Sequence, residues 1–120
     1  MKKNPALARL IVAAIFTLTG VLHFAQAKAF ISIVPDGFPN PPLLVAISGV
    51  AELCGAIGIL IPQTRRAASY GLIALLIAVF PANISMAIHA DRFAAIPAWT
   101  LWARLPLQII LGMLVWEAGR

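Results

Sequence analysis

Charge is scarce in this chain. Lysine, arginine, aspartate and glutamate together supply 11% of its 120 residues while 62% are hydrophobic, whereas soluble domains carry about a quarter charged residues and about half apolar ones. A soluble domain of this length needs a polar shell around its core, and long stretches here hold almost no side chain able to face water. The composition therefore excludes an ordinary soluble domain and places the chain in the membrane class. Acids are rarer than bases, four against nine, for a formal net charge of +5. That excess does not point to nucleic acid, because the basic residues lie scattered at the ends of apolar runs and form no patch interleaved with aromatics. Cys54 is the single cysteine, which excludes an intramolecular disulfide, a CxxC redox pair and a thiolate metal cage; it reads as a small buried hydrophobe. His23 and His89 stand alone, without HxxxH or HExxH, so no metal is expected. No Walker lysine is present, and Gly55 and Gly58 lie in an apolar stretch where a phosphate would be badly desolvated. No Ser, His, Asp arrangement is recognisable.

What the chain does have is long apolar runs. A helix needs about 20 apolar residues to cross the hydrocarbon core of a bilayer, and four intervals meet that length: Leu7 to Gln26, Pro41 to Ile61, Ala67 to Ile88 and Ala98 to Trp116. The predicted fold is all-α, a single membrane domain over 1–120 built as an up-down bundle of four transmembrane helices. Lys28 to Asn40 contains Pro35, Asp36, Gly37, Phe38 and Pro39, a composition that predicts a structured turn instead of helix. Pro62 to Arg66 reads as a tight basic loop, and Asp91 to Pro97 as a brief polar turn whose Phe93 and Ile96 can dip into the interface. Short loops of this kind imply antiparallel neighbours. Lysine and arginine are retained on the cytoplasmic side; Lys2, Lys3, Arg9, Arg65, Arg66 and Arg120 fall on one side of the four spans, Lys28 and Arg92 on the other. Both termini are therefore expected in the cytoplasm, with Trp99, Trp102 and Trp116 as interfacial anchors. A competing reading takes Lys2, Lys3 and Arg9, the apolar stretch and Ala25-Gln26-Ala27 as a cleavable signal peptide, and charge bias alone does not decide between the two.

Ionisable groups inside a span cost about 2.5 to 3.5 kcal/mol each on insertion scales, so they are the best functional lead. Glu52 should sit about 16 Å below the outer end of the second span and Arg104 about 9 Å below that of the fourth, which predicts a Glu52 to Arg104 ion pair. His23 and Gln26 near the outer end of the first span, Asn83 in the third, and Gln108 one turn from Arg104 gather at similar depth. Pro81 and Pro106 lie beside Asn83 and Arg104, where each removes a backbone N–H. The coincidence predicts a small polar cavity toward the outer leaflet, lined by His23, Glu52, Asn83, Arg104 and Gln108. The plainer alternative is that these groups only bond one helix to another. Ser48, Ala51, Gly55 and Gly58 form a small-residue stripe that permits close helix approach, either within the bundle or in a homodimer. His89 falls near the outer boundary.

The chain resembles the DoxX family of small bacterial four-helix membrane proteins. The resemblance rests on Gly20-Val21-Leu22-His23-Phe24, Ile33-Val34-Pro35, Ser48-Gly49-Val50-Ala51-Glu52, Ile61-Pro62 with Arg65-Arg66, Pro81-Ala82-Asn83-Ile84-Ser85-Met86, and Arg104-Leu105-Pro106-Leu107-Gln108, and covers Gly20 to Trp116. It implies a bacterial cytoplasmic membrane location and a first span that is kept. Relatives of this name include a membrane subunit associated with thiosulfate:quinone oxidation and a component of thiol-stress complexes. The resemblance thus implies a non-catalytic subunit with a redox protein partner, or a component binding quinone or another small molecule. The lone Cys54 departs from relatives that use paired cysteines. Alternatives are a quinone-linked membrane oxidoreductase, with Glu52 or His23 relaying protons, and a small proton-coupled transporter. The mass of the purified chain should include every residue from Met1 to Ala27; a mass lacking that segment would establish cleavage and leave three spans.

Overall fold

Two Asn-Pro pairs open helices. In the computed structural model, Asn4 accepts a hydrogen bond from the Leu7 N–H at 3.1 Å and Asn40 one from the Leu43 N–H at 3.4 Å, so each asparagine caps the turn that Pro5 or Pro41 begins. The structure describes residues 4–35, 37–93 and 97–120. Lys2 and Lys3, used above for orientation, Asp36 of the expected turn and Ile96 of the expected interfacial loop lie outside the described residues, as do the side chains of Arg92 and Phe93. The helices are α1 (Pro5–Ala25), α2 (Ala27–Ser32), α3 (Pro41–Leu60), α4 (Arg65–Ile88) and α5 (Ala98–Ala118), with a short 3-10 turn at Ala90–Phe93. No strand occurs among the described residues. The four long helices match the four apolar intervals, and each is long and apolar enough to cross a membrane.

One expectation about the connections is corrected. Ala27–Ser32 is helical, whereas the whole of Lys28 to Asn40 was expected to be a turn. Ala27, Lys28 and Ala29 favour helix, and the break from α1 is a single residue: the Gln26 N–H still bonds the Leu22 carbonyl, while the Gln26 carbonyl already accepts from Ala29 and Phe30. The proline-rich second half does turn, with Gly37 at φ 93° and Asn40 at φ 44° in the left-handed region, which glycine and asparagine tolerate best. Pro81 and Pro106 lie inside helices that continue past them.

Side-chain contacts fix the directions of the helices. Gly20 faces Gly49 and Leu53, Gly55 faces Leu72, Gly58 faces Ala68, and Gly119 faces Ser69, so α1, α3, α4 and α5 run up and down in turn. At the end holding both chain termini, arginines close helix C-termini. Arg9 of α1 donates to the carbonyls of Ala118 (3.1 Å) and Arg120 (2.8 Å), and Arg65 of α4 donates to those of Ile59 (2.8 Å) and Leu60 (3.4 Å). These carbonyls lack intrahelical partners, and a cation there also complements the helix dipole. Buried Ser69 ties α4 to α5 through the Val115 carbonyl at 2.9 Å. Beside these caps lies the main core, with Val12, Phe16, Ile59, Leu72 and Val115 at its centre. A smaller cluster of Met86, Ala87 and Leu101, covered by Ile33, closes the opposite end.

Glycine spacing sets how near the helices come. A Cβ on Gly49 would meet the His23 Cβ at 2.9 Å, whereas one on Gly112 would meet nothing nearer than Leu76 Cδ1 at 3.9 Å. The stripe of Gly55 and Gly58 is turned toward α4, so it serves packing within the chain. Gly49→Ala should therefore lower the unfolding free energy by about 1 to 3 kcal/mol through overpacking against the Phe24 ring and the His23 Cβ. Gly112→Ala should leave it unchanged or raise it by up to about 1 kcal/mol; denaturant titration in detergent of both variants checks the contrast.

Candidate functional site

The close approach of α1 and α3 at Gly20 and Gly49 brings short polar side chains together in an apolar setting. Thr19 and His23 lie one turn apart on α1 and so share a face. Glu52 of α3 is 7% exposed. Its Oε1 accepts from the Thr19 hydroxyl at 2.7 Å, and its Oε2 lies 3.0 Å from His23 Nδ1. The same nitrogen is 2.6 Å from the Thr19 carbonyl, which takes the better-aligned bond, leaving Oε2 without one of good geometry. The His23 ring also stacks on Phe30 of α2, centroids 4.1 Å apart, which seats α2 over the end of α1.

The expected Glu52 to Arg104 ion pair is not formed. Among the described residues the carboxyl groups that lie within 4 Å of a basic side chain are Glu52, beside His23, and Glu117, beside Arg120. Depth alone suggested the pairing, but α3 packs its Glu52 face on α1, where Thr19 and His23 are the groups the carboxyl meets. Arg104 lies across the bundle on α5, with Met86 Sδ at 3.9 Å from its Nη1. A second polar link joins α4 to α5: Asn83 Nδ2 donates to Gln108 Oε1, and Gln108 Nε2 donates to the Leu76 carbonyl. Pro81, five residues on, disturbs the carbonyls of that turn.

Between these walls lies a cavity of about 400 Å³, within the size range of small-molecule sites. His23, Glu52, Asn83 and Arg104 all line it, together with Thr19 and Ser48, and the rest of the wall is mostly apolar. Phe30, Val34, Pro35 and Phe38 contribute from α2 and the turn after it. Gln108 does not reach this cavity; it lines a neighbouring groove of about 230 Å³ between α4 and α5 that shares Asn83 and Arg104 with it. Four of the five residues expected to meet are thus brought together, and the fifth is bonded to one of them.

Thr19 and Phe30 were not singled out from the sequence. Thr19 was legible in principle, one turn before His23, but Phe30 was hidden because α2 itself was not expected. His89 lies at the C-cap of α4, bonded to the Ser85 carbonyl at 3.0 Å, and is not among the residues that line the cavity. Cys54, expected buried, is exposed, since the Glu52 side of α3 faces inward. Among the described residues no group of three histidine, cysteine or carboxylate side chains is placed to hold a metal.

The pairing can be measured. A double-mutant cycle on unfolding free energy should couple Thr19→Val with Glu52→Gln by about 1 to 2 kcal/mol. The cycle of Glu52→Gln with Arg104→Gln should stay below about 0.5 kcal/mol; coupling of equal size in both cycles would contradict the geometry.

The sequence pattern of the DUF8561 family, described as a domain of unknown function, matches residues 12–119, and the chain belongs to that family. No curated protein and no solved structure matches it.

Proposed function

We propose that this member of the DUF8561 family is a multi-pass protein of the bacterial cytoplasmic membrane, with both termini cytoplasmic, that binds a lipid-soluble small molecule such as a quinone and serves as a non-catalytic component of a membrane-associated redox system. The observation that carries the binding function is the cavity itself: a volume of about 400 Å³, mainly apolar, with a carboxyl group, an imidazole, an amide and a guanidinium converging on it. Such a mixture of apolar wall and few polar groups suits a ligand that lives in lipid and is oriented by its head.

Membrane placement is supported by the outer surface. Leu10 on α1, Ile57 on α3, Ile77 on α4 and Met113 on α5 are each more than 60% exposed, so apolar side chains face outward on all four long helices, as lipid contact requires. Orientation is supported by Arg9, Arg65 and Arg120 sharing one end, the end the positive-inside rule assigns to the cytoplasm. The redox setting rests on the resemblance to DoxX proteins in the segments carrying His23, Glu52, Asn83 and Arg104, and it brings a redox protein partner with it. A proton-coupled transporter is the second reading. It is favoured by the separation of Glu52 from Arg104, because a carboxyl group held by threonine and histidine is free of the arginine that would otherwise neutralise it.

Native mass spectrometry from lipid nanodiscs tests the proposal. The full-length chain should carry an adduct of quinone or other lipophile mass, and Ala82→Phe, which fills the cavity wall, should lose it. A bare wild-type chain, or an adduct kept by the filled variant, would sink the ligand role of this cavity.

A further inference from the structure

The orientation of His23 specifies what kind of head the cavity receives, an inference that rests on the cavity being a ligand site. Its Nδ1 has two oxygen acceptors nearby, the Thr19 carbonyl at 2.6 Å and Glu52 Oε2 at 3.0 Å. A bare nitrogen at those distances would set lone pair against lone pair, so the contacts assign the ring's proton to Nδ1. A histidine held in this way by a carbonyl and a carboxylate presents its other nitrogen as a hydrogen-bond acceptor of fixed direction. Nε2 has no bonding partner among the described residues, and His23 lines the cavity. Stacking on Phe30 and the 12% exposure of the side chain hold the ring still.

The remaining walls narrow the class further. Glu52 Oε1 is occupied by the Thr19 hydroxyl, and Arg104 on the same cavity disfavours a cationic head. A largely apolar lining makes a charged ligand expensive to desolvate. We propose that the ligand is a neutral, lipid-soluble hydroxyl compound, a phenol (a quinone in its reduced, quinol form included) or a long-chain alcohol, whose O–H donates to His23 Nε2. The Thr19 carbonyl then fixes the histidine tautomer, with Glu52 Oε2 beside the same nitrogen reinforcing it, and neither touches the ligand hydroxyl.

The test compares two probes of nearly equal shape on the full-length protein in lipid nanodiscs, with titration calorimetry corrected against protein-free discs. 4-Hexylphenol carries the donor; 1-hexyl-4-methoxybenzene does not. The phenol should bind about tenfold more tightly, the worth of one such hydrogen bond. His23→Phe keeps a ring against Phe30 but has no Nε2, and should bring the ratio to about one. The ¹⁵N signals of the His23 ring in the wild-type protein give a readout that needs no variant: Nδ1 protonated, Nε2 bare, and Nε2 shifting with the phenol alone. Equal binding of both probes to wild type, an unchanged ratio in His23→Phe, or a proton on Nε2 before ligand is added would overturn the hydroxyl proposal while leaving the cavity a ligand site. If neither probe binds wild type, the cavity's ligand role falls and this inference falls with it.

Discussion

A carboxyl group buried in an apolar bundle must find its partners inside that bundle, and the partnering of Glu52 with Thr19 and His23 organises much of this structure. Removing such a group from water without partners costs several kcal/mol, so the helix facing Glu52 has to bring donors to it. Helix α1 does so with Thr19 and His23, and it comes near enough because Gly20 and Gly49 put no side chain between the two backbones. His23, once drawn to Glu52, stacks on Phe30 and thereby fixes where α2 lies. The connection after α1 is thus shaped by a group on α3.

The two ends of the bundle solve a different problem. Helix ends expose carbonyls that water would normally cover, and apolar surroundings offer no substitute. Arg9, in the second turn of α1, and Arg65, at the first residue of α4, each reach to the last carbonyls of a neighbouring helix. These arginines therefore do two things at once: they close α5 and α3, and they gather positive charge at the end where the termini lie. Tight packing follows at that end, with Ser69 and Gly119 in contact and the main core beside them. Toward the other end the packing loosens until the small Met86, Ala87 and Leu101 cluster, and the cavity occupies the interval between.

The four long helices were legible because the bilayer-length rule reads composition directly; the Asn4-Pro5 and Asn40-Pro41 caps that open α1 and α3 were not singled out, and the first span was begun two residues late, at Leu7. The gathering of His23, Glu52, Asn83 and Arg104 was legible too, because residues at equal depth in a four-helix bundle have little choice but to converge. Depth says nothing about rotation around each helix axis, however. That is why Glu52 was assigned to Arg104 when the small-residue faces of α1 and α3 had already turned it toward Thr19. The helix α2 was obscured by its neighbours: a proline-rich turn begins within three residues of its end, and composition averaged over the whole connection hides six helical residues.

Separation of the two opposite charges bears on whether this cluster holds the fold together or holds something else. An ion pair between Glu52 and Arg104 would have drawn α3 and α5 together and used the intervening volume as a clamp. Instead each side of the bundle is tied separately: α1 to α3 through Thr19, His23 and Glu52, and α4 to α5 through Asn83, Gln108 and the Leu76 carbonyl. The two pairs are tied separately at this level, so neither draws the other across the cavity that Glu52 and Arg104 both line. Their polar groups then line that space at the edges of an apolar wall, as a site for a lipid-soluble molecule requires. The proposed ligand would lie against the apolar wall and meet the polar groups at its edges, contacts that the helices around the cavity do not make with one another.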